Sequence, residues 1–277
     1  MALAALSSWL SRLTHAQACY AFAASGALTF PLLFFVSAPY GKFFNTSRSK
    51  GWGPALGGRA GWFVQEIISP IALLCAFYGA QSASLPPGAP LPLQLAPVHG
   101  FVFLWCLHYA HRAVLYPLQR HMSATTVPVV AAAVAFNVIN GALVGAELAA
   151  VAHSAFADWR ALASPRVLGG LALMFAGAGL NIASDVRLRA LRAKPGDRSY
   201  HVPRGGFFEL VACPHYLGEI AEWSGFAVAT GMLSAAVFAF WTAANLAPRA
   251  LATRNWYRQK FRDEYPATRK ALVPFIF

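Results

Sequence analysis

Thr126-Val127-Pro128-Val129-Val130-Ala131-Ala132-Ala133-Val134-Ala135-Phe136-Asn137-Val138-Ile139-Asn140-Gly141-Ala142-Leu143-Val144-Gly145-Ala146-Glu147-Leu148-Ala149-Ala150-Val151-Ala152-His153 contains one charged residue, Glu147. The run is too long for a soluble strand, and as a helix it exceeds the ~30 Å hydrocarbon core of a bilayer, which it fits by tilting. Six more apolar segments surround it: roughly Ala16–Ser37, Gly61–Ala80 and Val98–Val114 before it, then Val167–Ser184, His215–Thr230 and Ser234–Ala247 after it. The last two are short and nearly contiguous, which predicts a tight helical hairpin. Composition agrees. Of 277 residues 57% are hydrophobic and only 12% charged, about half the ~25% charged residues of a soluble domain, and the mean hydropathy is +0.49. A disordered chain is excluded and a soluble globular enzyme is disfavoured. The expected fold class is an all-α integral membrane protein with seven transmembrane helices, forming a single domain over residues 1–277.

The charge pattern gives an orientation. The chain has 22 basic and 10 acidic residues, a net charge of +12. Such a balance could mean nucleic-acid binding, but here the basic residues sit between long apolar runs. The connections before Gly61, after Val114, after Ser184 and after Ala247, with Arg112 at the end of the third segment, hold 19 of the 22 lysines and arginines, while the connection Gln81–Pro97 has no charge and five prolines. The positive-inside rule places the basic side in the cytoplasm. An odd number of spans then puts the N-terminus outside and the C-terminus in the cytoplasm. Arginine outnumbers lysine 17 to 5, as in proteins of GC-rich bacterial genomes. The expected location is a bacterial inner membrane, or the endoplasmic reticulum membrane if the chain is eukaryotic. Cys19, Cys75, Cys106 and Cys213 form no CxxC, so neither a disulfide framework nor a zinc site is expected.

Charged groups within a membrane call for a reason. Gln65 and Glu66 lie about one turn into the second segment. Tyr109, Arg112 and Tyr116 share a face at the end of the third, at i, i+3 and i+7. Asn181, Asp185, Arg189 and Arg192 continue one face out of the fifth. His215, Glu219 and Glu222 share a face of the sixth. With the alternating topology, all of these fall at the cytoplasmic end, and the outer half is bland except for Glu147. A polar cavity open to the cytoplasm follows. Blander readings exist for each feature. Glu66 alone could be a structural carboxyl. His108 and His111 near Cys106 lack further ligands at metal spacing, so no metal site is expected. Gly141 and Gly145 form a GxxxG that reads as helix packing, and Gly205-Gly206 reads as a turn. Glu147 reads as a packing or oligomer contact with no mechanism. Neither GxGxxG nor GxxxxGK[ST] occurs, so a nucleotide would need another kind of cradle.

The stretch Gly205-Gly206-Phe207-Phe208-Glu209-Leu210-Val211-Ala212-Cys213-Pro214-His215-Tyr216-Leu217-Gly218-Glu219-Ile220-Ala221-Glu222-Trp223 resembles the C-terminal signature of the steroid 5α-reductase family. Similar likenesses run through Trp62–Glu66, Leu107–Arg112, Asn181–Asp185 and the ending Tyr265–Phe277. The resemblance covers the chain from about Gly41, with the signature region over about 124–277. It implies a seven-helix membrane reductase that uses NADPH to saturate the C4–C5 double bond of a 3-oxo-Δ4-steroid entering from the bilayer. By the resemblance, Gln65, Glu66 and Tyr109 surround the substrate's 3-keto oxygen. Glu66, protonated, and the Tyr109 phenol then donate to the enolate oxygen that builds as hydride reaches C5. The NADPH side falls to Tyr116, Arg120, Asn181, Asp185, Arg192, Tyr200, His215, Glu219, Arg249 and Tyr257. Two positions depart from the family pattern. His215 stands where asparagine is usual, and Ala252-Thr253-Arg254-Asn255 lacks the usual histidines before Trp256-Tyr257. A reductase of enoyl-CoA or polyprenol lipids is the nearest alternative. A membrane methyltransferase binding S-adenosylmethionine and a transporter are more distant ones.

Overall fold

The computed structural model describes residues 13–36, 38–44, 50–86, 89, 95–119, 122–191 and 199–277. Among them are seven long helices, here α1 (His15–Phe35), α2 (Gly58–Ala83), α3 (Val98–Tyr109), α4 (Val127–Val151), α5 (Pro165–Ala190), α6 (Pro214–Thr230) and α7 (Leu233–Phe261). Each coincides with one apolar segment of the sequence. Four of them, α1, α2, α4 and α5, are individually long and apolar enough to cross a membrane. The others fall short for identifiable reasons. α3 is interrupted, α6 has only 17 residues, and α7 carries charge along its second half. The apolar run of α7 ends at Ala247, but the helix passes through Pro248 and continues into the basic stretch as far as Phe261.

Glycines set the two closest helix pairs. α5 packs along α6 and α2 along α4. A Cβ on Gly177 would lie 2.3 Å from the Glu222 nitrogen, and one on Gly218 would lie 2.5 Å from the Asn181 nitrogen. Gly170 and Gly225 meet backbone of the facing helix at 2.3 Å in the same way. Backbones this close leave no room for side chains between them, as in small-residue membrane interfaces. The consequence is local to the site: Asn181 and Asp185 on α5 are brought beside His215 and Glu219 on α6. The GxxxG of α4 does the same against α2, with Gly141 and Gly145 set against Ser69 and Leu73 carbonyls. Gly218→Val is expected to force α5 and α6 apart and to lower the melting temperature of the detergent-purified protein, at the upper end of the about 1–3 kcal/mol that overpacking costs. Gly179→Val, which points into open space, serves as the control; equal stability of the two variants would contradict the close pairing.

Between these pairs the core is aromatic. Trp105 is stacked round by Trp223, Phe226 and Phe238 at ring separations of 4.9, 5.6 and 5.2 Å. A two-residue β1 (Ala55–Leu56) pairs antiparallel with β2 (Thr125–Thr126), tying the entry of α2 to the entry of α4. The C-terminal stretch folds back beside the entry of α6: Ala212 N–H donates to the Lys270 carbonyl (2.8 Å) and Lys270 N–H to that of Leu210 (2.9 Å). Arg269, 1% exposed, anchors this return through the Pro203 carbonyl (3.0 Å) and Glu209 (3.5 Å). Glu209 also accepts the Gly205 N–H at 2.6 Å, and chiefly that bond, helped by Arg269 and Arg204, holds its carboxyl below the usual range.

Candidate active site

One end of the bundle encloses a cavity of about 610 Å³, within the ~300–1,000 Å³ of small-molecule sites. Its walls come from the first half of α2, the end of α3, the first half of α4, the end of α5, the start of α6 and the length of α7. Gln65, Glu66 and Tyr109 all line it, as do Tyr116, Asp185, Tyr200, His215, Glu219, Arg249 and Tyr257. The convergence expected from the sequence is thus present in the geometry. Asn181 stands one layer behind: its Nδ2 donates to the His215 carbonyl (2.8 Å) and to Glu219 Oε2 (3.4 Å). It orients Glu219 rather than facing the cavity. Arg120 and Arg192 lie outside the described residues.

Arg112 sits at the centre and is 8% exposed. Its guanidinium reaches Asp185 on α5 (3.4 Å) and Glu219 on α6 (3.2 Å), and stacks over Trp62 and Tyr116 at 5.0 and 4.6 Å. The backbone explains its placement. The sequence reads as an unbroken α-helix here, yet α3 widens into a π turn over Ala110–Leu115 before a last turn, Tyr116–Leu118. Tyr116 N–H bonds to the His111 carbonyl in place of that of Arg112. Pro117 has no N–H to offer. The freed Arg112 carbonyl accepts instead from Trp62 Nε1 at 2.8 Å, which locks α3 to α2. Single π turns of this kind are frequent at functional sites.

Gln65 Nε2 donates to Glu66 Oε1 (3.1 Å), and Asn137 on α4 donates to the Gln65 carbonyl (2.7 Å), fixing that turn of α2. Beside them His108 Nδ1 meets Glu222 Oε1 at 2.7 Å, with the imidazole against the Tyr109 and Trp223 rings. His108 is therefore held by a carboxylate from α6. Arg112 was visible in sequence as a helix-face neighbour of Tyr109, but its role as the shared partner of two carboxylates required knowing that α5 and α6 touch. The His108–Glu222 pair carried no local signal, its members being 114 residues apart.

The opposite wall is cationic and aromatic. Arg249 stacks on the Tyr40 ring at 3.5 Å, and its Nη2 donates to the Tyr40 carbonyl (3.3 Å). Its buried Nε has no hydrogen-bond partner among the described residues. Lys42 lies over the Tyr257 ring at 4.9 Å; behind this lining, Trp256 has Lys42 at 5.5 Å and Lys260 at 5.0 Å, and Lys260 also lies over Tyr200 at 4.9 Å. Tyr40 and Lys42 were not among the expected site residues; they precede the first recognisable motif. An anionic, partly planar ligand suits such a wall.

Comparison with known proteins matches this arrangement to a family. The family model described as 3-oxo-5-alpha-steroid 4-dehydrogenase matches residues 123–277. The steroid 5-alpha-reductase DET2 of Gossypium hirsutum is 39% identical over 261 residues, covering 88% of this chain and 90% of that protein. The 3-oxo-5-alpha-steroid 4-dehydrogenase 1 of Homo sapiens is 40% identical over 220 residues, covering 79% and 80% respectively. The human 3-oxo-5-alpha-steroid 4-dehydrogenase 2 is 38% identical over 249 residues, covering 89% and 91%. With a polar cavity set among apolar helices and matches of this extent, the chain belongs to the steroid 5-alpha-reductase family and is an oxidoreductase of steroid metabolism.

Proposed function

We propose that the protein reduces the C4–C5 double bond of 3-oxo-Δ4-steroids with NADPH, acting as a single domain of seven membrane spans with its N-terminus outside and its site facing the cytoplasm. The observation that carries this reading is the meeting, on one cavity, of Gln65, Glu66 and Tyr109 on one side with Arg249, Lys42 and Tyr257 on the other. The first group offers donors to a ketone oxygen and the second suits phosphates and flat rings. The unpartnered Nε of Arg249 fits a cofactor rich in phosphate oxygens, since guanidinium forks pair with them.

Bound there, NADPH supplies a hydride. Addition to C5 moves charge through C4 onto the 3-oxygen, where Glu66 and Tyr109 donate hydrogen bonds to the developing enolate. Gln65 holds the Glu66 carboxyl through its amide. Arg112, neutralised by Asp185 and Glu219, braces the floor between the two halves of the site. A proton then reaches C4 and the saturated ketone forms. The apolar residues of α4 exclude water from the reacting atoms, and the steroid reaches them from the bilayer between helices.

The deciding assay follows NADPH oxidation by detergent-purified protein with and without testosterone or progesterone, with the product analysed by mass spectrometry. The expected result is steroid-dependent oxidation and a product heavier by two hydrogens with 5α geometry. NADPH binding without steroid turnover would move the substrate to enoyl or prenyl lipids. Absence of both would reject the reading. Arg249→Ala is expected to raise the KM for NADPH by about 10- to 150-fold, as loss of a charged hydrogen bond of roughly 1.5–3 kcal/mol implies, with a smaller change in the KM for steroid. The opposite pattern would place Arg249 elsewhere.

A further inference from the structure

The far end of the bundle, away from the cavity, holds a side-chain cluster that the reduction does not use. His15 and Cys19 stand one turn apart on α1, and Glu147 reaches them from α4. A single ring nitrogen, His15 Nε2, faces both partners: Glu147 Oε2 at 3.3 Å and Cys19 Sγ at 3.4 Å. Hydrogen bonds satisfy only one of these contacts at a time. With a proton, Nε2 donates to the carboxylate and cannot accept from the thiol. With a lone pair, it accepts from the thiol and confronts the carboxylate lone pair to lone pair. A cation between the three atoms resolves the conflict, because each then presents a lone pair to it.

We infer that His15, Cys19 and Glu147 form a binding site for a thiophilic divalent cation of the Zn²⁺ type. The distances suit it. Tetrahedral zinc with bonds of about 2.0–2.3 Å sets ligand atoms about 3.3 Å apart for N and O and about 3.6 Å apart for N and S, close to the two observed edges. All three ligand atoms lie within 4.8 Å of one another, so the remaining edge, between Cys19 and Glu147, closes by a small side-chain rotation. The outer shell is already built: Glu147 Oε1 accepts the Leu233 N–H (3.0 Å) and Oε2 the Ser234 N–H (2.8 Å), both from the first turn of α7. Such bonds orient a ligating carboxylate. Charge also balances, since a divalent cation with one thiolate, one carboxylate and a neutral imidazole is neutral overall. The half-buried His15 side chain leaves the fourth position to water.

The site would act as a staple. α1 buries only Cys19, Phe22 and Gly26 along its 21 residues, yet its Thr29 reaches the cavity wall. A metal bound at its first turn ties this thinly held helix to α4 and α7. Sequence reading missed the cluster because Glu147 is remote in the chain and the pair on α1 has no second cysteine.

The test uses full-length protein in detergent, loaded with Zn²⁺ and desalted. One equivalent of zinc should remain by mass spectrometry. Cys19→Ser and His15→Ala should each weaken binding at least tenfold, taking the roughly 10–100-fold loss for outer-shell changes as a floor, while helix content by circular dichroism is unchanged. Loading with Co²⁺ should produce a thiolate charge-transfer band that Cys19→Ser abolishes. A folded wild-type protein that retains no zinc, or one whose affinity is untouched by both substitutions, would overturn the assignment. Neither readout depends on steroid turnover.

Discussion

Tyr109→Phe should lower steroid turnover by about 10²–10³-fold, the loss typical when one donor to a developing oxyanion is removed, and leave NADPH binding in place. Tyr109 is buried among Trp105, His108 and Trp223, so deletion of one oxygen leaves its ring packed and the effect is chemical. Glu66→Gln keeps the shape of the side chain and exchanges an acidic donor for an amide. It should cost at least about tenfold in kcat, because an amide neither donates as strongly nor exchanges protons. Steady-state rates together with NADPH titration decide the matter: near-normal turnover in both variants would remove Glu66 and Tyr109 from the reaction.

Arg112→Ala should destabilise the fold itself. Asp185 and Glu219 would be left facing one another, largely shut off from water, and removing one member of a buried ion cluster costs about 3–5 kcal/mol. The melting temperature in detergent should fall on the order of 10 °C. Adding Asp185→Asn and Glu219→Gln to the same variant should restore much of the loss, since the penalty comes from two carboxylates that have lost their shared cation. A single variant as stable as the wild type would show that the three groups do not depend on one another.

The helices were legible in the sequence because hydropathy is a local property; each apolar run became one long helix. The bounds failed where hydropathy and helicity part company, as beyond Ala247, where α7 runs on into charged sequence while Pro248, Ala250, Thr253 and Tyr257 stay buried. The π turn at Ala110–Leu115 was hidden because the Arg112 carbonyl it frees is taken up by Trp62 Nε1 from another helix, a contact remote in sequence. Residues carried by motifs, such as Glu66, Tyr109 and Glu219, line the cavity; pairings made only by contact, such as Glu222 with His108 or Tyr40 under Arg249, left no trace in the sequence. Glu147, read as a packing or oligomer contact with no mechanism, makes its packing contact within the chain: it caps α7 and meets His15.

The α4 wall has one more consequence. Val129, Ala132, Ala133, Phe136 and Asn137 recur at helical spacing along the cavity, and all but Asn137 are apolar. The groups proposed to handle charge and hydride lie on α2, α3, α5, α6 and α7 and on the connections beside them, such as Lys42. The proposed reacting groups and the apolar stripe of α4 thus lie on separable parts of the chain. Drift along one stripe of α4 can enlarge or narrow the repertoire of accepted ring systems while the reacting groups stay untouched, which makes this scaffold an evolvable one and marks those four apolar positions as the place to begin a selection for new lipid specificity.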